Sequence, residues 1–489
     1  MGRFLVAAAA AGCVLLGSTA SSAGVIATPI SDDPYTNTTS QHRTQLEPDS
    51  FAFGNTIVTA FQTGRFFDGG ASNIGWATST DGGVHWTTGM LPGTTIFQGG
   101  PWARISDPAV AYDPLHNVWM VSGLAIDASV SGAAVTTSRS LDGGLTWLPP
   151  VNVAVAPGTF FDKNWIVCDT WASSPHYGNC YTEWDDAGVG GRLMMSTSTD
   201  GGATWGPIRM PAGNPSGIGG QPVVQPDGTV VVPYNSSNIR AFRSTDGGAT
   251  WTAPVTVAAD IEHNPAGGLR GGGLITAEVD GAGKVYVAWQ DCRFRSGCPA
   301  NDIVFTTSTD GLTWSAVSRI PIDATTSGVD HFIPGIGVDR STSGNTAHVA
   351  VGYYYYPVSA CNSNTCQLTA GFISSLDAGA TWAPAQTVAG PMSLSWIAQS
   401  SQGRMVGDYI STAFVNGNIA IPVISWAKHP EGTTSCSTSG APCRQRSAIA
   451  RFNVTAPITS DRARAEKETS AQRRRARLSR SHKRLFTAN

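Results

Sequence analysis

The chain has 489 residues, of which 41% are hydrophobic and only 13% charged, about half the charged share usual for soluble domains. So few charges exclude a coiled coil or a charged helical bundle, whereas 56 Gly and 15 Trp favour many short strands joined by turns. The net charge of -3 is uneven. Residues 459–489 carry ten of the 31 Lys+Arg but only three of the 34 Asp+Glu, so the remainder is acidic by ten charges and no nucleic-acid partner is expected.

In chain order, residues 1–23 read as an export signal. A short basic start containing Arg3 precedes an apolar run ending at Leu16, and small residues lead to Ala20 and Ala23, the layout of a cleavage site. That run is too short to span a bilayer, and no later stretch replaces it, so no transmembrane segment is expected. The mature protein is predicted to be secreted and monomeric, with residues 24–458 as its folded body. Setting Cys13 aside leaves eight cysteines in close pairs: Cys168 with Cys180, Cys292 with Cys298, Cys361 with Cys366 and Cys436 with Cys443. An even count suits an oxidising compartment, and the spacing predicts four loop staples.

One short pattern returns six times, at Ser79-Thr-Asp81-Gly-Gly83-Val-His-Trp86 and around Asp142, Asp200, Asp246, Asp310 and Asp377. Successive copies are 46 to 67 residues apart, one supersecondary unit each with loops of varying length. The pattern predicts a hairpin turn in which Asp accepts from backbone amides ahead of it, Gly takes a positive φ and Trp packs on a neighbouring unit. Each copy sits in a frame of four strands. The first are expected near Glu47-Pro48, Asp107–Tyr112, Lys163–Cys168, Gln221–Val224, Leu274–Ala277 and Phe332–Ile336. Beyond the sixth turn, Gly403–Tyr409, Ile419–Ile424 and Ser447–Phe452 allow one more unit, with Val25–Ile30 as its fourth strand. The predicted fold class is an all-β, seven-bladed β-propeller, with six blades as the alternative.

The repeated S-x-D-x-G-x-x-W turn resembles the Asp box, or BNR repeat, of the sialidase superfamily. This resemblance implies a propeller fold and, for a secreted chain, a partner that is an extracellular glycan or polysaccharide. In sialidases it further implies a central pocket in which three Arg clamp a carboxylate, a Tyr backed by a Glu is the nucleophile and an Asp is the acid/base. The family's first clamp Arg lies in a Phe/Tyr-Arg-Ile-Pro motif. The nearest match here, Ala103-Arg104-Ile105-Ser106, has neither the aromatic nor the Pro.

In a propeller, starts of first strands and ends of second strands share one mouth of the channel, opposite the Asp turns. The mouth positions form a polar ring. First strands supply Glu47, Arg104, Asp107, Asp162, Lys163, Gln221, Arg270, Asp330, His331, Arg404, Asp408 and Tyr409. Second strands supply Arg65, Asp68, Glu183, Asp185, Asp186, Asp291, Arg293 and Tyr353 to Tyr356. The leading expectation is a sialidase-like glycoside hydrolase, exo-acting on a glycan, in which Arg104, Arg270 and Arg404, with Arg293 in reserve, hold an acidic group. Asp107 or Asp162 would donate the proton. Tyr409 or Tyr355 with Glu183 would be nucleophile, and Asp408 competes for the carboxylate role. Lys163, Asp330 and His331 are further binding candidates. Each has a plainer structural reading: Asp before Pro caps turns, Asp162-Lys163 forms an ion pair, and His331 is a hydrogen-bonded core residue. A non-catalytic propeller that binds carbohydrate or protein is the alternative. No cofactor is required by the sequence, and an acidic mouth leaves oxygen-ligated Ca²⁺ open. The basic tail, residues 459–489, is expected to contact anionic cell-wall polymers.

Overall fold

The computed structural model describes residues 26–156, 158–436 and 442–455. The expected export signal and basic tail lie outside them. The described chain is all-β, and its helical pieces are single 3-10 turns such as Ile96–Gln98.

The strands follow one another in antiparallel groups. The first comprises His42–Phe53, Thr56–Arg65, Ala71–Ser79 and Thr87–Met90. The second runs Arg104–Asp113, Val118–Ile126, Gly132–Ser140 and Val151–Val155. The third is Phe161–Cys168, Cys180–Asp186 and Arg192–Ser198, where a bridge from Met195 to Arg209 stands in for a fourth strand. Next come Val223–Val224, Val230–Asn235, Asn238–Ser244 and Val255–Ala259, and then Thr276–Val279, Val285–Asp291, Asp302–Ser308 and Ser318–Arg319. Asp330–Val338, Val349–Tyr356, Gln367–Ser375 and Gln386–Ser393 come after these. The last group is Ser411–Val415, Ile419–Ala427 and Pro442–Ile449, and the N-terminal strand Thr28–Pro29 pairs with its Ala448 and Ile449.

The first strand of each group touches the first strand of the next, and Ser411–Val415 touches His42–Phe53. Each group is therefore covered on both faces. Central strands such as Val285–Asp291 are buried along their whole length, which is why Val, Tyr, Ala and Trp succeed one another there instead of alternating with polar residues. Apolar clusters fill the spaces between groups, for instance Val58 and Trp76 against Val110 and Trp119.

The six repeated turns close the ends of third strands. Around Asp246, the carboxylate accepts from the Thr250 amide at 2.9 Å, its hydroxyl at 2.6 Å and the Ser244 hydroxyl at 2.8 Å. Gly247 and Gly248 take φ of 69° and 83°, a region closed to most residues. The turn's Trp reaches back to the preceding group: Trp147 lies 6.2 Å from Trp76, Trp251 6.3 Å from Tyr181 and Trp382 6.0 Å from Phe305. Third strands run parallel to first strands, so these turns lie at the end of the fold opposite the first-strand starts. All four cysteine pairs form disulfides. Among the described residues no helix is long and apolar enough to cross a membrane.

One strand expectation is corrected. Gly403–Tyr409 is not the first strand of the last group. Gly403 and Arg404 pair with Ser400 and Gln399, and the strand begins at Ser411. The reason is local: Gly407 takes φ of 137°, and a Cβ there would lie 2.9 Å from the Cα of Glu47, so the chain turns tightly past Glu47 before it can pair.

Candidate functional site

The first strands of three successive groups carry the same irregularity. Pairing shifts register between Leu46 and Asp49, between Ser106 and Ala109, and between Asp162 and Trp165. At these bulges Glu47, Asp107 and Lys163 take φ of 52°, 48° and 43°. A bulge kinks its strand and re-aims a side chain, and left-handed backbone on a non-glycine residue stores strain that recurs at functional positions. Ile333, at the corresponding shift between Phe332 and Gly335, has φ of 50° but an apolar side chain.

The bulged residues meet at Lys163, which is 6% exposed. Its Nζ lies 2.7 Å from Asp107, 3.1 Å from Asp408 and 3.4 Å from Glu47. Arg270 closes on the same Asp408 oxygen as Lys163. Glu47 accepts from Gln62 and, at 3.0 Å, from the Asp408 amide. Arg65 Nη1 donates to Gln62 and to the Gly70 carbonyl, while its buried Nε has no partner.

This arrangement separates the protonation states. Burial disfavours charge on Lys163, but Asp107, Asp408 and Glu47 outweigh it and hold the ammonium well above its ordinary value. Burial also opposes charge on Asp408, yet Lys163 and Arg270 keep its carboxyl at about 2. Glu47 is pushed up to about 7 by burial, against the pull of Lys163 and with the Asp408 and Asp107 charges adding to the rise. Asp162 is raised to about 6 by burial and then by Asp107, and its neighbour Asp185 to about 8 by burial and Asp162.

Two cavities open on this cluster and share Asp162, Lys163, Arg270 and Gln402. The smaller, about 130 Å³, runs between Arg65, the Asp68–Gly70 turn, Val130 and Phe160. The larger, about 620 Å³, runs past Asp408 towards Asn235, Asp260, Glu262 and Gly271–Leu274. A third, of about 310 Å³, lies at the far ends of the first strands among Phe51, Trp171 and Arg340; there Arg340 is paired with Glu278 at 3.3 Å.

The structure thus gathers Asp107, Asp162, Lys163, Arg270 and Asp408 at one place and leaves the other candidates outside it. Glu183 is fully buried and lines neither mouth cavity. It packs against Gly220, where a Cβ would come within 2.5 Å of its carboxyl carbon, and burial raises its carboxyl well above the ordinary value. Tyr409 lies beside the cluster, but its hydroxyl donates to the Pro108 carbonyl at 3.0 Å. Its ring stands edge-on to Trp165 at 5.1 Å, and burial holds its proton on. Tyr355 reaches only Thr387, at 3.2 Å. Arg104 pairs with Asp68 at 2.5 Å on the rim of the smaller cavity. Arg404 donates to the Ile397 and Cys436 carbonyls, and Arg293 folds back on Asp291 at 2.6 Å. A three-arginine clamp is therefore not assembled.

Asp330 and His331 belong to a separate network. Asp330 accepts from the Asn301 amide at 2.7 Å. The His331 ring lies 3.9 Å from Asp323, and burial lowers its affinity for a proton. Asp302, Asp323 and His331 are spaced closely enough to hold a metal ion, but two guanidiniums already bridge the carboxylates. Arg295 stands 2.7 and 3.0 Å from Asp302 and Asp323, and Arg319 2.8 and 2.7 Å. The donor set therefore fits an ion-pair lock and not a cation such as Ca²⁺.

Glu47, Arg65 and Gln62 are members that sequence reasoning did not place in the catalytic set. The available signal was proline inside a first strand, at Pro48, Pro108 and Pro334, since Pro within a strand marks a bulge.

No family model and no curated protein matches the chain. Among solved structures, it is similar to a protein of unknown function from Dyadobacter fermentans, with 16% identity over 72% of this chain and 99% of that one and a TM-score of 0.45. It is similar to the NanB sialidase of Streptococcus pneumoniae, with 12% identity over 88% of this chain and 71% of that one and a TM-score of 0.43. An alpha-L-arabinanase of Penicillium chrysogenum aligns at 11% identity over 88% of this chain and 98% of that one, with a TM-score of 0.44. Identities this low assign no role to any residue.

Proposed function

We propose that the antiparallel groups are the seven blades of a closed propeller and that its polar mouth is the active site of a glycoside hydrolase working with two carboxyls. The observation that carries this reading is that Asp162 and Asp408 open into the same cavity in opposed states, one raised to about 6 and the other held at about 2. Carboxyls whose surroundings push them apart divide the work of acid and base. Asp162 donates a proton to the departing glycosidic oxygen. Asp408 supplies the negative charge that attacks the anomeric carbon or activates a water against it. Lys163 and Arg270 position Asp408, and Glu47 fixes the Asp408 backbone.

The Asp-box resemblance supports an extracellular glycan as the partner, and four disulfides with no membrane-spanning helix among the described residues fit a secreted chain. Arg104 and Arg404, tied up elsewhere, support a sugar that need not be a sialic acid. The test is hydrolysis of a panel of fluorogenic glycosides, a sialoside included, by the mature protein and by Asp162→Asn and Asp408→Asn. Turnover that both substitutions leave intact would sink the assignment. A non-catalytic binding propeller is favoured by one observation, that Asp408 is engaged by two cations at once. Silence across the panel together with glycan-array binding would establish that reading.

A further inference from the structure

The cavity at the far ends of the first strands stands apart from the mouth and has a different lining. Its volume is about 310 Å³, within the range of ligand sites. Phe51, Phe53, Trp171 and Phe414 line it, and it reaches solvent, since Phe53 is 43% exposed. The charged residues in its wall are Glu278, Asp339 and Arg340, two acids against one base. Arg340 already shows how this wall takes a guanidinium. Its Cζ stands 5.0 Å from the centroid of the Phe51 ring, while Nη2 donates to Glu278 at 3.3 Å and Nη1 to the Thr170 hydroxyl at 3.1 Å. A planar cation that stacks on an aromatic face and donates to a neighbouring carboxylate is held in two ways at once. Phe53, Phe414 and Trp171 offer further faces of the same kind.

The surroundings of the cavity are acidic. All six repeated turns lie at this end, each with one Asp. The Thr146 hydroxyl holds Asp142 at about 2, and the Thr313 amide holds Asp310 at about 2, so both stay ionised at any ordinary pH. Against the six carboxylates stand Arg139, Arg243 and Arg451. Two of these are spent on turn carbonyls, Arg243 on that of Asp310 and Arg451 on that of Gly82.

The chain leaves the described body at the same place. Val454 donates to the Asn418 carbonyl at 3.0 Å, and the hairpin that carries Asn418 also supplies Asn416 and Gly417 to the cavity wall. Residues 456–489 therefore start beside its rim. Eight of the ten Lys+Arg in residues 459–489 are Arg. The first, Arg462, is seven residues beyond Thr455, a reach of up to about 25 Å. A segment tethered so closely meets the cavity at an effective concentration in the millimolar range, so contacts that are weak singly suffice to hold it.

We propose that the basic segment 462–484 docks on the far end of its own molecule, with one arginine seated among the aromatic rings beside Glu278 and the others facing the Asp turns. The inference is independent of the hydrolase reading. It sets a condition on the expected contact with anionic polymers: a polymer captures the segment only by displacing it from the cavity, and salt weakens both holds.

Carbodiimide cross-linking of the dilute mature protein tests this, because the reagent joins a lysine amine to a carboxylate that touches it. At low salt, Lys467 and Lys483 are expected to be joined within one molecule to acids of the far end, such as Glu278, Asp81 or Asp377. Joining to acids of the mouth such as Asp68 or Glu262, joining only between molecules, or none at all would overturn the inference. Phe53→Ser removes an exposed ring from the cavity and is expected to lower the yield by about three- to fivefold, the worth of one exposed cation–π contact. On the unaltered protein, guanidinium chloride at tens of millimolar should lower the yield more than NaCl at the same concentration, a comparison that no folding defect can confound. A yield indifferent to the substitution and equal in the two salts would overturn the cavity as the seat of the segment.

Discussion

Lys163 Nζ stands 2.7 Å from an oxygen of Asp107, and both residues hold left-handed backbone at a bulge in the first strands of neighbouring groups. The ion pair is thus a junction between two sheets, made by a backbone device that each sheet carries separately. With Glu47 and Asp408 on the same ammonium, one side chain ties three first strands and the approach to a fourth.

Removing that ammonium leaves buried carboxylates facing one another. Lys163→Met is expected to destabilise the protein by about 3–5 kcal/mol, the usual result of breaking a buried pair on one side, seen as a lowered midpoint in urea unfolding. Lys163→Met with Asp107→Asn and Glu47→Gln should recover part of that loss, because two of the uncompensated charges go with it.

Activity on a glycoside should show a plateau on the acid side of neutrality. On the proposed two-carboxyl reading, the working state needs Asp408 ionised, which holds above about 2, and Asp162 protonated, which holds below about 6. Rate should therefore fall as pH rises through about 6, and Asp162→Asn should lower kcat by about 10²–10⁴-fold while abolishing that alkaline limb. A pH–rate profile with an unchanged alkaline limb in the variant would assign the limb to another group.

Stability should track the same groups with a definite sign. Glu47, Asp162, Asp185 and Glu262 all have folded values above those of the free side chains. Their contribution is full below about pH 4 and is lost as pH climbs through about 6 to 8. Asp408 has the opposite sign: its contribution is present above about pH 4 and disappears as pH falls through about 2. Thermal unfolding should accordingly give a higher Tm at about pH 5 than at about pH 8, and a Tm that increases steadily over that interval would contradict this assignment of charge.

Arg104→Ala and Arg270→Ala discriminate between two kinds of mouth. Arg104 is spent on Asp68 at the rim, so its loss should change kcat/KM by no more than about twofold, within the range of exposed pairs. Arg270 holds Asp408, and its loss should cost about tenfold or more in kcat. Equal, large losses specific to a sialoside would restore the arginine clamp.

The repeated turn should be separable from the chemistry. Asp246→Ala removes bonds to Thr250 and Ser244 at the end away from the two cavities that Lys163 lines. It is expected to cost about 1–2 kcal/mol in stability and to leave kcat unaltered.

How much of the molecule is legible in its sequence depends on whether the information is local. The Asp turns, their Trp packing and the four disulfides are short-range patterns, and each appears where its spacing placed it. The mouth is legible as a set of polar strand starts, because antiparallel order fixes which ends lie together. What that set does not rank is aim. Glu183 and Asp162 both precede or follow aromatics near a strand end, yet one is sealed behind Gly220 and the other opens into both cavities. That difference arises from bulges at positive φ, which Pro48 and Pro108 announce only indirectly and Asn164 hardly at all.

The pairing of Thr28 with Ile449 has a consequence for how the chain is made. These residues are roughly four hundred positions apart, so the strand at Thr28 waits for its partner until the chain has been synthesised as far as Ile449. The disulfides, by contrast, join cysteines 5 to 12 residues apart and can be oxidised while elongation continues. Maturation should therefore show two clocks: staple formation in step with translation, and a late, chain-length-dependent gain of protease resistance when these two strands meet.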